Sequence, residues 1–95
     1  MVFLEKFNFS RDEISEFENN TADVMIDALE KERKLVLANG EYLMDLGVTN
    51  FKEIFKNYYE LFLLDHSNFI NIFNKYDRSD LIEKLAKNVA IVEYL

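Results

Sequence analysis

Cysteine and proline are absent from the 95 residues, and glycine stands only at Gly40 and Gly47. Without cysteine there is no disulfide framework, no thiolate metal site and no thiol nucleophile. Without proline, and with so little glycine, the usual punctuation of sheets and long loops is missing, which favours helices joined by short turns. Long hydrophobic runs are missing too. Nowhere do about 18 consecutive apolar residues occur, so no membrane-spanning helix is expected. The opening Met1-Val-Phe-Leu-Glu-Lys-Phe7 has no basic region followed by a long apolar stretch, so no secretory signal is read and the cytoplasm is the default compartment.

What is present is apolar: 49% of the residues are hydrophobic and 15% aromatic, enough for a packed core and incompatible with a disordered chain. At this length one domain covering residues 1–95 is expected, burying a smaller fraction of its surface than a larger domain and so having little stability to spare. The net charge is −7 and unevenly spread: residues 1–50 hold five basic and eleven acidic side chains, residues 51–95 six and seven. Nucleic acids and anionic membranes are gripped by clustered Lys and Arg, so neither is an expected partner. A basic protein suits the acidic first half better.

Helix starts are legible from capping residues. Ser10-Arg-Asp-Glu13 has the form of a capping box, in which each side chain satisfies an otherwise unpaired backbone N–H, and Asn50-Phe-Lys-Glu53 and Asp80-Leu-Ile-Glu83 have similar spacing. The first helix is predicted to begin near Arg11 with Ile14 and Phe17 inward. It either stops around Asn19-Asn20 or runs on through Val24, Met25, Ala28, Leu35 and Val36; the spacing permits both. Asn39-Gly40 resembles a helix end, because both residues tolerate the left-handed conformation, yet Tyr42, Leu43 and Leu46 continue the apolar stripe toward Gly47, so a kinked or frayed helix is predicted.

From residue 51 the pattern is regular. Phe51, Ile54, Phe55, Tyr58 and Phe62 fall at three- and four-residue steps, the spacing that puts side chains on one helical face. Leu61-Phe-Leu-Leu64 is apolar all round and predicts central burial. Phe69, Ile72, Phe73 and Tyr76 form the next stripe, and Ile82, Leu85, Ala86, Val89 and Val92 the last. Asn50-Phe51-x-x-Ile54-Phe55-x-x-Tyr58 recurs as Asn68-Phe69-x-x-Ile72-Phe73-x-x-Tyr76; the turn-favouring Asp65-His-Ser67 between them points to two helices packed as a pair. The predicted fold is all-α, a compact bundle of four or five helices. Residues 51–95 are expected to be its tightest part, with Val2, Phe3, Leu4, Phe7 and Phe9 folding back onto it. The apolar surplus, including Ala90-Ile-Val-Glu-Tyr-Leu95, makes a homodimer the expected state.

Candidate chemistry is sparse. His66 is the only histidine and adjoins Asp65, but neighbouring residues point in different directions on a helix, and Leu63 stands where a Glu-x-x-His metal motif would need glutamate, so a boundary or surface histidine is expected. Asp77-Arg-Ser-Asp80-Leu-Ile-Glu83 gathers three carboxylates, yet it lacks the alternating oxygen ligands and central glycine of a calcium loop; helix capping explains Asp80 and Glu83 better. Ser10, Ser15, Ser67 and Ser79 have no glycine elbow beside them, and no phosphate-cradling glycine loop occurs. No catalytic residue, metal or cofactor is therefore expected.

Binding is the expected mode of action, and two surfaces compete for it. Glu16, Asp23, Asp27 and Glu30 share one face if the first helix is continuous, a face that could dock a basic partner protein; the alternative is a solvated surface partly neutralised by Asp27–Lys31 and Glu30–Lys34 spacings. The aromatic residues of 51–76 could instead enclose an apolar ligand, with Tyr58, Tyr59 and Tyr76 as polar handles, or simply form the core or a dimer interface. Phe51-Lys-Glu-Ile-Phe-Lys-Asn-Tyr-Tyr-Glu-Leu-Phe62 followed by Asp65-His-Ser-Asn-Phe-Ile-Asn-Ile-Phe73 is similar to the central helices in the ligand-binding half of tetracycline-repressor-type regulators. That resemblance spans about a quarter of the chain and implies a helical sensor of apolar ligands; the family's helix-turn-helix has no counterpart in the short, acidic residues 1–20. The leading expectation is a small regulatory or inhibitory protein docking through its acidic first half. A helical sensor comes next, and a structural homodimer in a larger assembly third.

Overall fold

Side chains that take over backbone hydrogen-bonding groups mark several of the helix ends. In the computed structural model, which describes residues 1–95, the chain opens with a 3-10 segment, Val2–Phe7, closed by Asn8 in the left-handed conformation. Helix α1, Arg11–Asn19, starts at the predicted capping box: Ser10 Oγ accepts from Glu13 N (3.1 Å) and Glu13 Oε1 accepts from Ser10 N (2.9 Å). It stops because the Asn20 amide and the Thr21 hydroxyl donate back to the carbonyls of Glu16 and Phe17, at 2.9 and 2.7 Å, offering the backbone an alternative to a further turn. The continuous first helix is thereby excluded, and the shorter of the two alternatives is found.

Helix α2, Asp23–Lys31, is joined to α3, Arg33–Asp45, by Glu32 alone. The predicted end at Asn39-Gly40 does not occur. Both residues lie buried inside α3, which runs on to Asp45 and is closed two residues later by Gly47, whose φ of 96° favours glycine. Gly40 is required by packing: a Cβ there would overlap Cζ and Cε1 of Phe7, so the missing side chain seats the N-terminal segment against α3. Arg78 reinforces the end of α3 by donating to the carbonyls of Leu46 and Asp45, both at 2.7 Å.

Helix α4, Phe51–Tyr58, passes into a 3-10 turn, Tyr59–Leu63, then come α5, His66–Asn74, and α6, Arg78–Lys87, and a last 3-10 segment, Val89–Tyr94. The all-α architecture is as expected, but it is built from six short α-helices and three 3-10 segments in place of four or five longer helices. Two caps differ from the spacing argument. Asn50 precedes α4 without capping it: its amide nitrogen donates to the Leu85 carbonyl (2.9 Å) and its oxygen accepts from no backbone N–H; α6 begins three residues earlier than the spacing predicts, with Asp77 accepting from Asp80 N. The apolar run Leu61–Leu64 is not central throughout: only Phe62 is buried, and the tight 3-10 turn carries Leu64 to the surface.

One core joins all of this. Phe9, Phe17 and Phe7 meet Phe55, which meets Phe62, then Phe69 and Phe73, in a chain of rings with centroids 4.9 to 5.8 Å apart and mostly edge-on or tilted. Leu4, Leu29, Val36 and Leu43 complete it from the first half, so the core is shared between the halves and not concentrated in residues 51–95. The N-terminal segment folds in as expected through Leu4, Phe7 and Phe9, whereas Val2 stays 73% exposed. The echoed helices do not form a primary pair: α5 packs on α3, while α4 packs on the 3-10 turn that follows it and on the last 3-10 segment. The Cα radius of gyration, 12.9 Å, is that of a folded chain of this length. No helix is long and apolar enough to cross a membrane.

Candidate functional site

The break after α1 distributes the acidic series over two helices. Glu16 sits on α1, and Asp23, Asp27 and Glu30 on α2; the first three are exposed, and Glu30 is half-buried beside the α-amino group of Met1, 3.1 Å from its nitrogen. Glu18 approaches the same amino group at 3.7 Å. Neither neutralising pair suggested by the spacing forms: Asp27 has no ion-pair partner within 4 Å, and Glu30 does not reach Lys34, from which Glu32 separates it as the helix changes course. Glu16, Asp12 and Asp23 are likewise without cationic partners. Glu13 is the exception, held by Ser10 N and by Lys52 Nζ at 2.9 Å; the backbone hydrogen bond first, then Lys52, pull its carboxyl from an ordinary 4.5 down to about 2.

His66 lies at a boundary and is held from inside. Asn39, fully buried, donates both amide hydrogens, to the carbonyls of Phe62 and Leu64 (2.9 Å each), which turns its Oδ1 toward His66 Nδ1 at 2.7 Å. An amide oxygen only accepts, so Nδ1 carries the imidazole hydrogen. The histidine thus ties α5 to α3 and has no carboxylate partner; Asp65 does not touch it in any hydrogen bond. Of the serines, Ser10 is a cap and Ser15, Ser67 and Ser79 are exposed. Asp77 is occupied by its cap to Asp80 N.

The aromatic interior is filled by its own rings, and no cavity is lined by Phe55, Phe62, Phe69 or Phe73. Two of the expected polar handles instead line a surface groove of about 500 Å³, formed by Tyr58, Tyr59, Glu60 and Leu61 with Leu64, Val92 and Glu93. Tyr58 donates its hydroxyl to Glu93 Oε2 (2.9 Å), which pushes the phenol's pKa up. Tyr59 packs edge-on against Phe17 (5.6 Å) and also lines a smaller cleft with Glu16, Asn20, Thr21 and Lys56. Sequence reasoning missed Glu60 and Glu93, because the groove is closed by residues from opposite ends of the second half. It missed Asn39 because a buried asparagine carries no local signature. No family model, curated protein or solved structure matches the chain.

Proposed function

We propose that the chain is a non-catalytic, acidic helical protein that binds and regulates a basic partner protein through the carboxylates of α1 and α2, with Glu16, Asp23 and Asp27 facing the partner and Glu30 at the edge. The observation that carries this reading is the absence of ion pairs: Glu16, Asp23 and Asp27 are exposed, lie on consecutive helices, and have no cation within ion-pair distance. Carboxylates left uncompensated over a surface create a field that steers a cationic partner and favours it over an acidic one. The test is capture from the host's nuclease-treated lysate by wild type and by the Glu16→Lys, Asp23→Lys, Asp27→Lys variant, at low and raised salt. One stoichiometric basic protein, released by salt and not captured by the folded variant, is the expected result; equal capture by both overturns the acidic-face reading.

A further inference from the structure

An acidic face supplies attraction and fast encounter, but the energy that fixes one partner in place comes from side chains desolvated in a well-shaped apolar pocket. An open surface groove with apolar walls lies on α4, the 3-10 turn that follows it and the last 3-10 segment. The groove bounded by Tyr58 and Tyr59 has Leu61, Leu64 and Val92 among its walls, and its volume of about 500 Å³ is that of a site able to seat side chains of another molecule. Leu64 is 36% exposed and stands out to solvent beside the partly exposed Leu61, while Phe62 between them is buried. The charged residues that line it are of one sign. Glu60 and Glu93 line the groove, no Lys, Arg or His does, and neither carboxylate takes part in an ion pair. Tyr59 also lines a neighbouring cleft that holds both Glu16 and Lys56.

We infer that this groove anchors the partner, and that its occupant is an amphipathic, lysine- or arginine-bearing segment of a protein, with aliphatic side chains seated between Tyr58, Leu61, Leu64 and Val92 and its cations on Glu60 and Glu93. The inference rests on the partner-binding reading above and adds the chemistry of what is bound. Complementary charge selects this occupant: an acidic or purely apolar segment would leave two carboxylates unpaired beside a newly dried surface. The tyrosines suit the same occupant, since their rings attract cations as well as aliphatic groups.

The experiment follows backbone amide shifts of the ¹⁵N-labelled full chain during titration with a short synthetic peptide carrying leucine and lysine at helical spacing, and with the same peptide in which glutamate replaces lysine. The expected result is salt-sensitive binding of the lysine peptide alone, with shifts at Tyr58, Tyr59, Leu61, Leu64, Val92 and Glu93. Combining Glu60→Gln with Glu93→Gln, a change that still offers the Tyr58 hydroxyl an amide oxygen, weakens it about five- to tenfold, as two lost exposed charge pairs should. Leu64→Ser, at the groove wall, weakens it about fivefold through lost apolar burial. Both variants are checked for an unchanged melting transition. Shifts confined to Asp23, Asp27 and their neighbours overturn the groove while leaving the acidic-face reading standing. Equal binding of the glutamate peptide, no binding at all, or the same shifts appearing on concentration without peptide, which marks a second copy as the occupant, each overturn the inference as well.

Discussion

A side-chain amide taken out of water is stabilising only when all of its polar groups are used, and Asn39 uses every one. Its two hydrogens satisfy the carbonyls of Phe62 and Leu64 at the point where the chain leaves the 3-10 turn, and its oxygen receives the Nδ1 hydrogen of His66. One residue of α3 therefore fixes the turn and the start of α5 together. Asn39→Ala removes the donors and leaves two carbonyls and an imidazole without partners; at about 1–3 kcal/mol for a buried group left unpaired, the expected loss is about 2–4 kcal/mol in urea unfolding. His66→Ala costs less, because the Asn39 oxygen loses one partner while the two carbonyl bonds persist. The double variant should cost less than the sum of the singles, since both act on one hydrogen bond. Strict additivity would show that the bond contributes nothing to stability.

Among the elements, α1 shows how a helix end couples to solution pH. The Glu13 carboxylate accepts from Ser10 N and is paired with Lys52 of α4, so the ionised form is favoured in the folded chain and its pKa falls from 4.5 to about 2. A depressed carboxylate contributes stability that is present above its unfolded pKa and lost as pH falls through the folded one. The advantage of wild type over Glu13→Gln should hold at neutral pH and shrink between about pH 4.5 and about pH 2, measured by denaturant titration at each pH. An advantage that does not change with pH would remove the ionic part of this account. Ser10→Ala, which deletes the other half of the box, should cost about 1 kcal/mol at neutral pH. This helix start was legible because its signal is local. Asn20-Thr21 carried an equally local stop signal, their side chains competing for α1's own carbonyls. Asn39-Gly40 misled for the opposite reason: their roles are set by Phe62, Leu64 and His66 downstream and by Phe7 far upstream. The acidic series could be read as charge, but whether those charges are paired depended on the break at Glu32, and the groove at Tyr58 and Tyr59 is assembled from residues that no spacing rule links.

For the molecule as a whole, a net charge of −7 on 95 residues with few cross-helix ion pairs means that the folded state holds like charges together. Compactness therefore costs electrostatic energy that an unfolded chain avoids. The cost is not the same at every position. Asp23 lies in the first turn of α2, where the helix dipole favours a negative charge, so Asp23→Lys should destabilise by about 0.5 kcal/mol despite lowering the net charge. Asp27 lies past that turn, with Asp23 and Glu30 at helical spacing on either side. A lysine there meets both carboxylates in place of repelling them, and the added repulsion from Lys31 offsets only part of the gain. Asp27→Lys should consequently raise the melting temperature by about 2 °C at low salt, a gain of a few tenths of a kcal/mol in a chain this short, and the gain should fade by about 0.15 M salt as screening takes over. The same substitution removes a charge assigned to the partner. A surface optimised only for folding would have no reason to hold a carboxylate that works against it, whereas a binding surface trades stability for recognition. Higher melting temperature together with weaker partner capture is the combination expected for a binding face; a substitution that leaves the melting temperature and capture both unchanged would identify Asp27 as ordinary solvated charge.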